Sequence, residues 1–275
     1  MRQVSPCPVC RCDWGRILEN AAPPHRVVRC PGCGLVYVDP VPAPAVLQYH
    51  YGKAYYAEWI SSQKNGRERM WAQRMNLIER ISAGPGRLLD VGCGDGAFLD
   101  HAIRRGWAVD GTEVSTWAAD HASRRLGRAI FHGEIWDTGF PAQRYDVVTL
   151  WHVLEHVWAP LRVLEEARRV MKPSGRLVVA VPNVDDRIMQ TAYRIVRRRR
   201  PRLFSLEDKE LHLFHFSVPS LRRLLGRSGF TSIEAGPDFG IVERSKRVLN
   251  TAAVAVSRCF NRHWYNSILM IAKPA

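Results

Sequence analysis

The sequence predicts a doubly wound α/β sheet with a small four-cysteine ribbon ahead of it, and three observations predict this. Two Cys-x-x-Cys pairs fall within the first 33 residues. From Arg87 onward, short apolar runs alternate with stretches of helical periodicity, the pattern of strands and crossover helices in an α/β sheet. A glycine-rich turn, Gly92-Cys-Gly-Asp-Gly96, joins the first run, Arg87–Val91, to the start of a helix. The 275 residues are 46% hydrophobic and 24% charged, which excludes a disordered or collagen-like chain. No apolar run reaches the roughly 18–20 residues of a membrane span, and residues 1–7 lack the apolar stretch of a secretion signal. The cytoplasm is the expected compartment.

Lys and Arg number 40 against 26 Asp and Glu, a net charge of +14. Such a balance favours anionic partners but does not bear on fold. Its densest block is Arg197–Arg200 with Arg194 and Arg202 beside it, and basic residues recur at Arg222, Arg223, Arg227, Arg244, Lys246 and Arg247.

Cys7-Pro-Val-Cys10 and Cys30-Pro-Gly-Cys33 are separated by 19 residues, the spacing of a structural metal site in which two knuckles complete a tetrahedral shell. Zinc is expected on Cys7, Cys10, Cys30 and Cys33, with iron the alternative, because the second knuckle looks like that of a rubredoxin. Val27–Arg29 and Leu35–Val38 flank that knuckle as short strands. Cys12 is a spare thiol. With four sulfur ligands the ribbon has no open position for chemistry, so it is expected to be structural or a docking element. The ribbon spans residues 1–40. Residues 41–84 form a proline linker and helical extension, with an aromatic stretch at Tyr49, Tyr51, Tyr55, Tyr56 and Trp59 and a helix over 67–81 that stops at Ser82-Ala-Gly-Pro-Gly86. Residues 85–275 are expected to form the α/β domain, with an insert at about 185–216.

Gly92, Gly94 and Gly96 allow a ligand to approach the backbone closely, and the helix that follows favours negative charge at its start. Glu113, 21 residues beyond Gly92 and after the run Trp107–Thr112, is placed to accept hydrogen bonds from two ribose hydroxyls. The loop alone also satisfies a dinucleotide-binding pattern, which leaves a dehydrogenase open until the neighbouring segments are considered.

Asp90-Val-Gly-Cys-Gly-Asp-Gly96 resembles the first motif of class I S-adenosylmethionine-dependent methyltransferases. Phe131-His-Gly-Glu-Ile-Trp-Asp137, Tyr145–Val157 and Arg176–Asn183 resemble the adenine-clasping segment, the fourth strand with its helix, and the fifth strand of that family. The resemblance covers roughly residues 85–235 and implies a Rossmann-like, seven-stranded sheet binding S-adenosyl-L-methionine. Asp90, Gly92, Gly94 and Glu113 would hold the methionine and ribose moieties, Glu134 and Ile135 the adenine, and Trp151 would form a wall of that pocket or part of the core. An acidic loop residue suits a ligand carrying ammonium and sulfonium charges better than one carrying two phosphates. With the ribbon and the segment Leu211–Ser217, the whole is similar to bacterial zinc-ribbon methyltransferases, and the core is similar to ubiquinone-pathway O-methyltransferases.

Methyl transfer to a hydroxyl needs alignment of the two reactants, worth perhaps 7–11 kcal/mol, and removal of a proton. His152, at the carboxyl end of the fourth strand, is the expected base. His152-Val-Leu-Glu155-His156 also spells an inverted zinc-protease signature, which the surrounding methyltransferase-like segments override. Ubiquinone-pathway relatives have Glu-x-x-Glu-His here; this chain has His152 at the first position, which puts a bound divalent metal in doubt. His212 and His215 are expected to cap the acceptor. The insert carries a basic helix with an apolar stripe of Ile188, Ala192, Ile195 and Val196, suited to an anionic membrane surface or an acidic acceptor. The stretch from Arg247 to Phe260 is a second such candidate, with burial against the sheet as its simpler account.

The function these readings favour is O-methylation of a small-molecule, glycan or natural-product acceptor. One alternative is an RNA base methyltransferase using the basic surface; against it, RNP-type aromatics and an Asn-Pro-Pro-Tyr motif are missing. Another is a non-catalytic docking protein built on the ribbon.

Overall fold

The computed structural model describes residues 1–56, 64–240 and 244–275. Trp59 lies outside them, as does the Tyr49 side chain.

The N-terminal sheet is antiparallel and orders β1 (Arg2–Gln3), β2 (Trp14–Asn20), β3 (Arg26–Arg29) and β4 (Val36–Asp39) consecutively. Val27, Val28, Leu35, Val36 and Val38 are fully buried, giving this small sheet a β-branched core. Its edge beyond β4 is covered by β10 (Phe214–His215), from the far end of the insert, through the pairs Phe214↔Tyr37 and His215↔Val36. The ribbon is therefore joined by hydrogen bonds to the segment that the sequence assigned to the acceptor.

After β4 the chain forms α1 (Pro44–His50), started by a proline at its first turn, and α2 (Lys64–Ile81). Met70, Trp71, Met75 and Ile78 of α2 bury against the large sheet. In that sheet β5 (Arg87–Val91), β6 (Ala108–Glu113), β7 (Phe131–His132), β8 (Tyr145–Trp151) and β9 (Met171–Pro182) run parallel. β12 (Ser267–Pro274) lies antiparallel between β9 and β11 (Phe230–Pro237). The order β11-β12-β9-β8-β5-β6-β7 is the expected seven-stranded arrangement. It reverses direction at β5, which has β6 on one side and β8 on the other, and that switch point is where open α/β sheets bind ligands.

The crossovers are α3 (Ala97–Arg104), α4 (Thr116–Leu126) and α5 (Pro160–Val170). α5 shows why they form: Pro160 starts it, and Val163, Leu164, Ala167 and Val170 line one buried face. α6 (Arg187–Arg197) follows β9, α7 (Val218–Arg227) follows β10, and α8 (Arg244–Cys259) connects β11 to β12.

Two expectations change. The fifth parallel strand begins at Met171 and not at Arg176: Met171 pairs with Tyr145, and the Lys172–Gly175 segment is an irregularity inside the strand before Arg176 pairs with Val147. Only one side of α8 is buried. Asn250, Ala253, Val254 and Ser257 pack inward, while Val248, Ala252, Ala255 and Cys259 face solvent.

Candidate functional site

The carboxyl ends of β5, β6 and β8 surround a cleft of about 710 Å³, with α2 and the tyrosines after α1 as its far wall. β5 ends in Asp90-Val91 and enters the glycine turn. Gly92 has φ +69° and Gly94 φ +57°, conformations that glycine adopts without a side-chain penalty. A Cβ on Gly92 would lie 2.7 Å from Val153, and one on Gly94 would meet the Tyr56 ring at 3.5 Å.

Glu113, the last residue of β6, is buried beside this turn. Oε2 accepts from Gly94 N at 2.9 Å; Oε1 accepts from Ser115 N at 2.9 Å and from the Tyr56 hydroxyl at 3.2 Å. Burial raises its pKa, and those three donors oppose the rise. Asp90 accepts from Thr149 Oγ1 at 2.6 Å. Burial pushes it up to about 7, against that hydrogen bond and the charge of Arg74. Glu134 lines the cleft and is also pushed up to about 7, by burial and then by Asp137 and Glu113.

His152 directly follows β8 with φ +57°, a conformation that costs a non-glycine residue energy and recurs at functional sites. Its side chain is 34% exposed. Nδ1 lies 3.2 Å from Glu155 Oε1, and Nε2 lies 3.4 Å from Asp238 Oδ2. Burial lowers its pKa, but the hydrogen bonds with Asp238 and Glu155 outweigh it and raise the imidazole to about 9. Arg74 donates to the same Asp238 oxygen at 2.8 Å, and its guanidinium lies 4.9 Å from the Trp71 ring and 4.3 Å from the Trp151 ring. Trp151 is thus both wall and core. Arg74 Nε, Trp71 Nε1 and Trp151 Nε1 are buried in the cleft lining with no hydrogen-bond partner among the described residues, a cost that a polar ligand would relieve.

Tyr51, Tyr55 and Tyr56 clasp the site. Their hydroxyls reach His156 Nδ1 (2.7 Å), Glu210 (2.8 Å) and Glu113. His212 lines the cleft beside Glu210, its ring tilted against that of His156 with centroids 4.9 Å apart. Glu155, His156 and His212 bring one ligand atom each within 4.8 Å of one another, the second set able to hold a cation. The first is the ribbon: Cys7, Cys10, Cys30 and Cys33 converge to the same limit, with Cys7–Cys33 and Cys10–Cys30 sulfurs 3.5 and 3.3 Å apart. Four thiols so close fit a tetrahedral zinc shell. The Cys12 sulfur instead lies 3.6 Å from the Trp14 carbonyl.

The structure corrects three expectations. Ile135 opens a short 3₁₀ turn, and its side chain is fully buried in the core, so Glu134 and its neighbours, not the Ile135 side chain, face the cleft. His215 belongs to β10 against the ribbon and is absent from the cleft lining; burial lowers its pKa to about 3, and its Nε2 has no hydrogen-bond partner among the described residues. The loop acid Asp95 is buried between Arg67 (2.6 Å) and Arg125 (3.2 Å) and does not supply the expected charge. That charge comes from Asp90, Glu113, Glu134, Asp137, Glu155, Glu210 and Asp238, which line the cleft against one arginine, Arg74. Sequence reasoning missed Arg74, Asp238 and Glu210. Arg74 lay inside a predicted helix, and no local pattern marked any of the three.

The fold and the acidic nucleotide-type cleft define a class of Rossmann-like ligand-binding enzymes. The chain belongs to the methyltransferase-domain family, whose profile matches residues 63–235. It is 31% identical over 157 residues to a demethylmenaquinone methyltransferase of Tropheryma whipplei, covering 55% of this chain and 64% of that one. It is 33% identical over 110 residues to a ubiquinone biosynthesis O-methyltransferase of Nitrosomonas europaea, covering 37% and 47%. The chain spans about half to two thirds of the length of such relatives. Among solved structures, the magnesium protoporphyrin IX methyltransferase of Synechocystis, with bound S-adenosylhomocysteine, superposes with TM-score 0.60 at 13% identity, covering 85% of this chain and 100% of that one. A Haloferax volcanii methyltransferase in complex with the Trm112 activator gives 0.53 at 16%, covering 81% and 96%.

Proposed function

We infer that the protein is an S-adenosylmethionine-dependent methyltransferase that methylates a hydroxyl on a small, largely apolar acceptor. The observation that carries this reading is the charge of the cleft. Seven acidic side chains line it against Arg74 and a protonated His152. Even with Asp90 and Glu134 raised to about 7 the balance is acidic, in a chain of net charge +14, and it suits a sulfonium- and ammonium-bearing nucleoside and repels a pyrophosphate. Glu113 would hold the ribose hydroxyls and Asp90 the ammonium; Arg74 and the unpartnered indole N–H groups suit the carboxylate, and Glu134 the adenine. When bound, the sulfonium supplies an activated methyl group for in-line displacement.

The chain's own residues bind, align and manage the proton. Tyr51, Tyr55 and Tyr56 close the site and limit water. His152, held by Glu155, would take the acceptor proton at Nε2 once the acceptor hydroxyl replaces Asp238 there. The acceptor would lie between His152, His156 and His212. The relatives named for quinone pathways support an aromatic acceptor. The acidic cleft weighs against RNA, whose phosphates it would repel. We keep residues 1–40 as a zinc ribbon that supports the catalytic domain of residues 85–275.

Calorimetry tests the reading. S-adenosylhomocysteine should bind and a nicotinamide dinucleotide should not; the reverse result removes the assignment. A screen of phenolic and other hydroxyl acceptors with a radiolabelled methyl donor then identifies the product.

A further inference from the structure

α6 has no buried residue, and at its end Ile195 and Val196 are 74% and 77% exposed. α8, which packs against it, leaves Val248 64% exposed, and Phe260 just past its end is 65% exposed. Aliphatic and aromatic side chains this open to water are costly unless something covers them. They are set in strong positive charge: residues 187–202 and 247–262 together hold ten arginines and no aspartate or glutamate. Arg187 at the start of α6 and Arg262 beyond α8 line a common cleft with Trp264 and Asp185, so the two segments adjoin there.

The position of this face follows from topology. α6 leaves the carboxyl end of β9 at Pro182, and α8 returns to β12 at Ser267, which pairs with Pro182. Both helices therefore emerge at the end of the sheet where the carboxyl ends of β5, β6 and β8 open the catalytic cleft.

We propose that α6 and α8 form a surface that docks on a bilayer containing anionic phospholipid, with the arginines on the headgroups and Ile195, Val196, Val248 and Phe260 entering the acyl boundary. Charge complementarity selects an acidic partner, and the exposed apolar side chains select a bilayer over RNA, whose phosphates would engage only the arginines. Docking would turn the cleft's end of the sheet toward the membrane, where an apolar acceptor concentrates. The surface is distinct from the methyl-transfer site and stands even if that reading fails.

The test is co-sedimentation of the full chain with phosphatidylcholine vesicles, with and without phosphatidylglycerol. Binding is expected only with the anionic lipid, falling as salt rises. Combined Ile195→Ser, Val196→Ser and Phe260→Ser should lower the partition at least ~10-fold, and Arg197–Arg200→Ser should do the same. Circular dichroism should be unchanged in both variants. Equal binding to neutral vesicles, unaltered binding by both variants, or no vesicle binding at all overturns the proposal. So does binding of single-stranded RNA that the serine variants leave intact while vesicles are ignored.

Discussion

Glu113 and His152, the proposed ribose holder and base, are each held by one near neighbour, Ser115 or Glu155, and by one remote group, Tyr56 or Asp238. Glu113 accepts three hydrogen bonds from Gly94, Ser115 and Tyr56, so its carboxylate is pre-oriented before any ribose arrives. Hydrogen bonds to a charged acceptor are worth about 1.5–3 kcal/mol. Glu113→Ala should weaken S-adenosylhomocysteine binding by roughly 10–100-fold in calorimetry, and unchanged affinity would exclude the residue from the ribose site. His152 is raised to about 9 by its two carboxylate neighbours against the effect of burial, so near pH 7 it is mostly protonated. A base must be neutral, so turnover should climb about tenfold per pH unit below about 9 and level off only above it. Glu155→Gln removes one raising partner and should shift that rise to lower pH. His152→Ala should lower turnover by roughly 10²–10⁴-fold while sparing cofactor affinity; a wild-type profile in either variant removes His152 from proton transfer.

The ribbon and the segment Leu211–Ser217 share one sheet through Phe214 and His215. β4 pairs with β10 through Tyr37 and Val36, Val38 N donates to Leu213 O at 2.9 Å, and Leu213 N donates to Glu155 O at 2.7 Å. Hydrogen bonds therefore run from the four-cysteine knuckles to the backbone of a residue that holds His152. Loss of the metal should loosen β4 first and the His212 side of the cleft next, leaving the turn between β5 and α3 in place. Cys30→Ser is expected to release zinc, lower thermal stability and raise the acceptor KM, with cofactor affinity kept within a few fold. Unchanged metal content by elemental analysis would falsify the zinc assignment. An equal loss of cofactor binding would show instead that the ribbon supports the whole fold.

Across the whole molecule, a basic exterior surrounds an acidic cleft, and the buried acids make stability depend on pH. Asp90 rises to about 7 in the folded chain from an ordinary value near 3.8. The folded state thus binds a proton that the unfolded state has released, and stability falls as pH rises between those values. Glu113 adds to the fall in the same direction. The raised His152 contributes stability that is complete below about 6.5 and is lost as pH passes 9. His215, lowered to about 3 by burial, works the other way up to about 6.5. Asp90, Glu134 and His152 together outweigh it, so the ligand-free protein should melt at a lower temperature at pH 8 than at pH 5. Asp90→Asn should flatten that slope, and S-adenosylhomocysteine should stabilise more at pH 8 than at pH 5. A melting temperature that rises between pH 5 and 8 would refute this account.

The sequence by itself determined what is local. The two Cys-x-x-Cys knuckles, the glycine turn after β5, the acid that ends β6 and the alternation of strand and helix are each written within a few residues, because turn geometry and side-chain periodicity act over that range. The tertiary structure alone decided what depends on distant segments meeting. It brought Arg74 and Asp238, 164 residues apart, together beside His152 and so fixed that residue's charge. It paired Asp95 with two arginines and turned Ile135 and His215 away from the cleft. It also seated the segment Leu211–Ser217 against the ribbon and left one face of α8 open where burial was expected. Charge pairing and burial follow distance in space, and nothing local in a chain encodes which remote side chain will arrive.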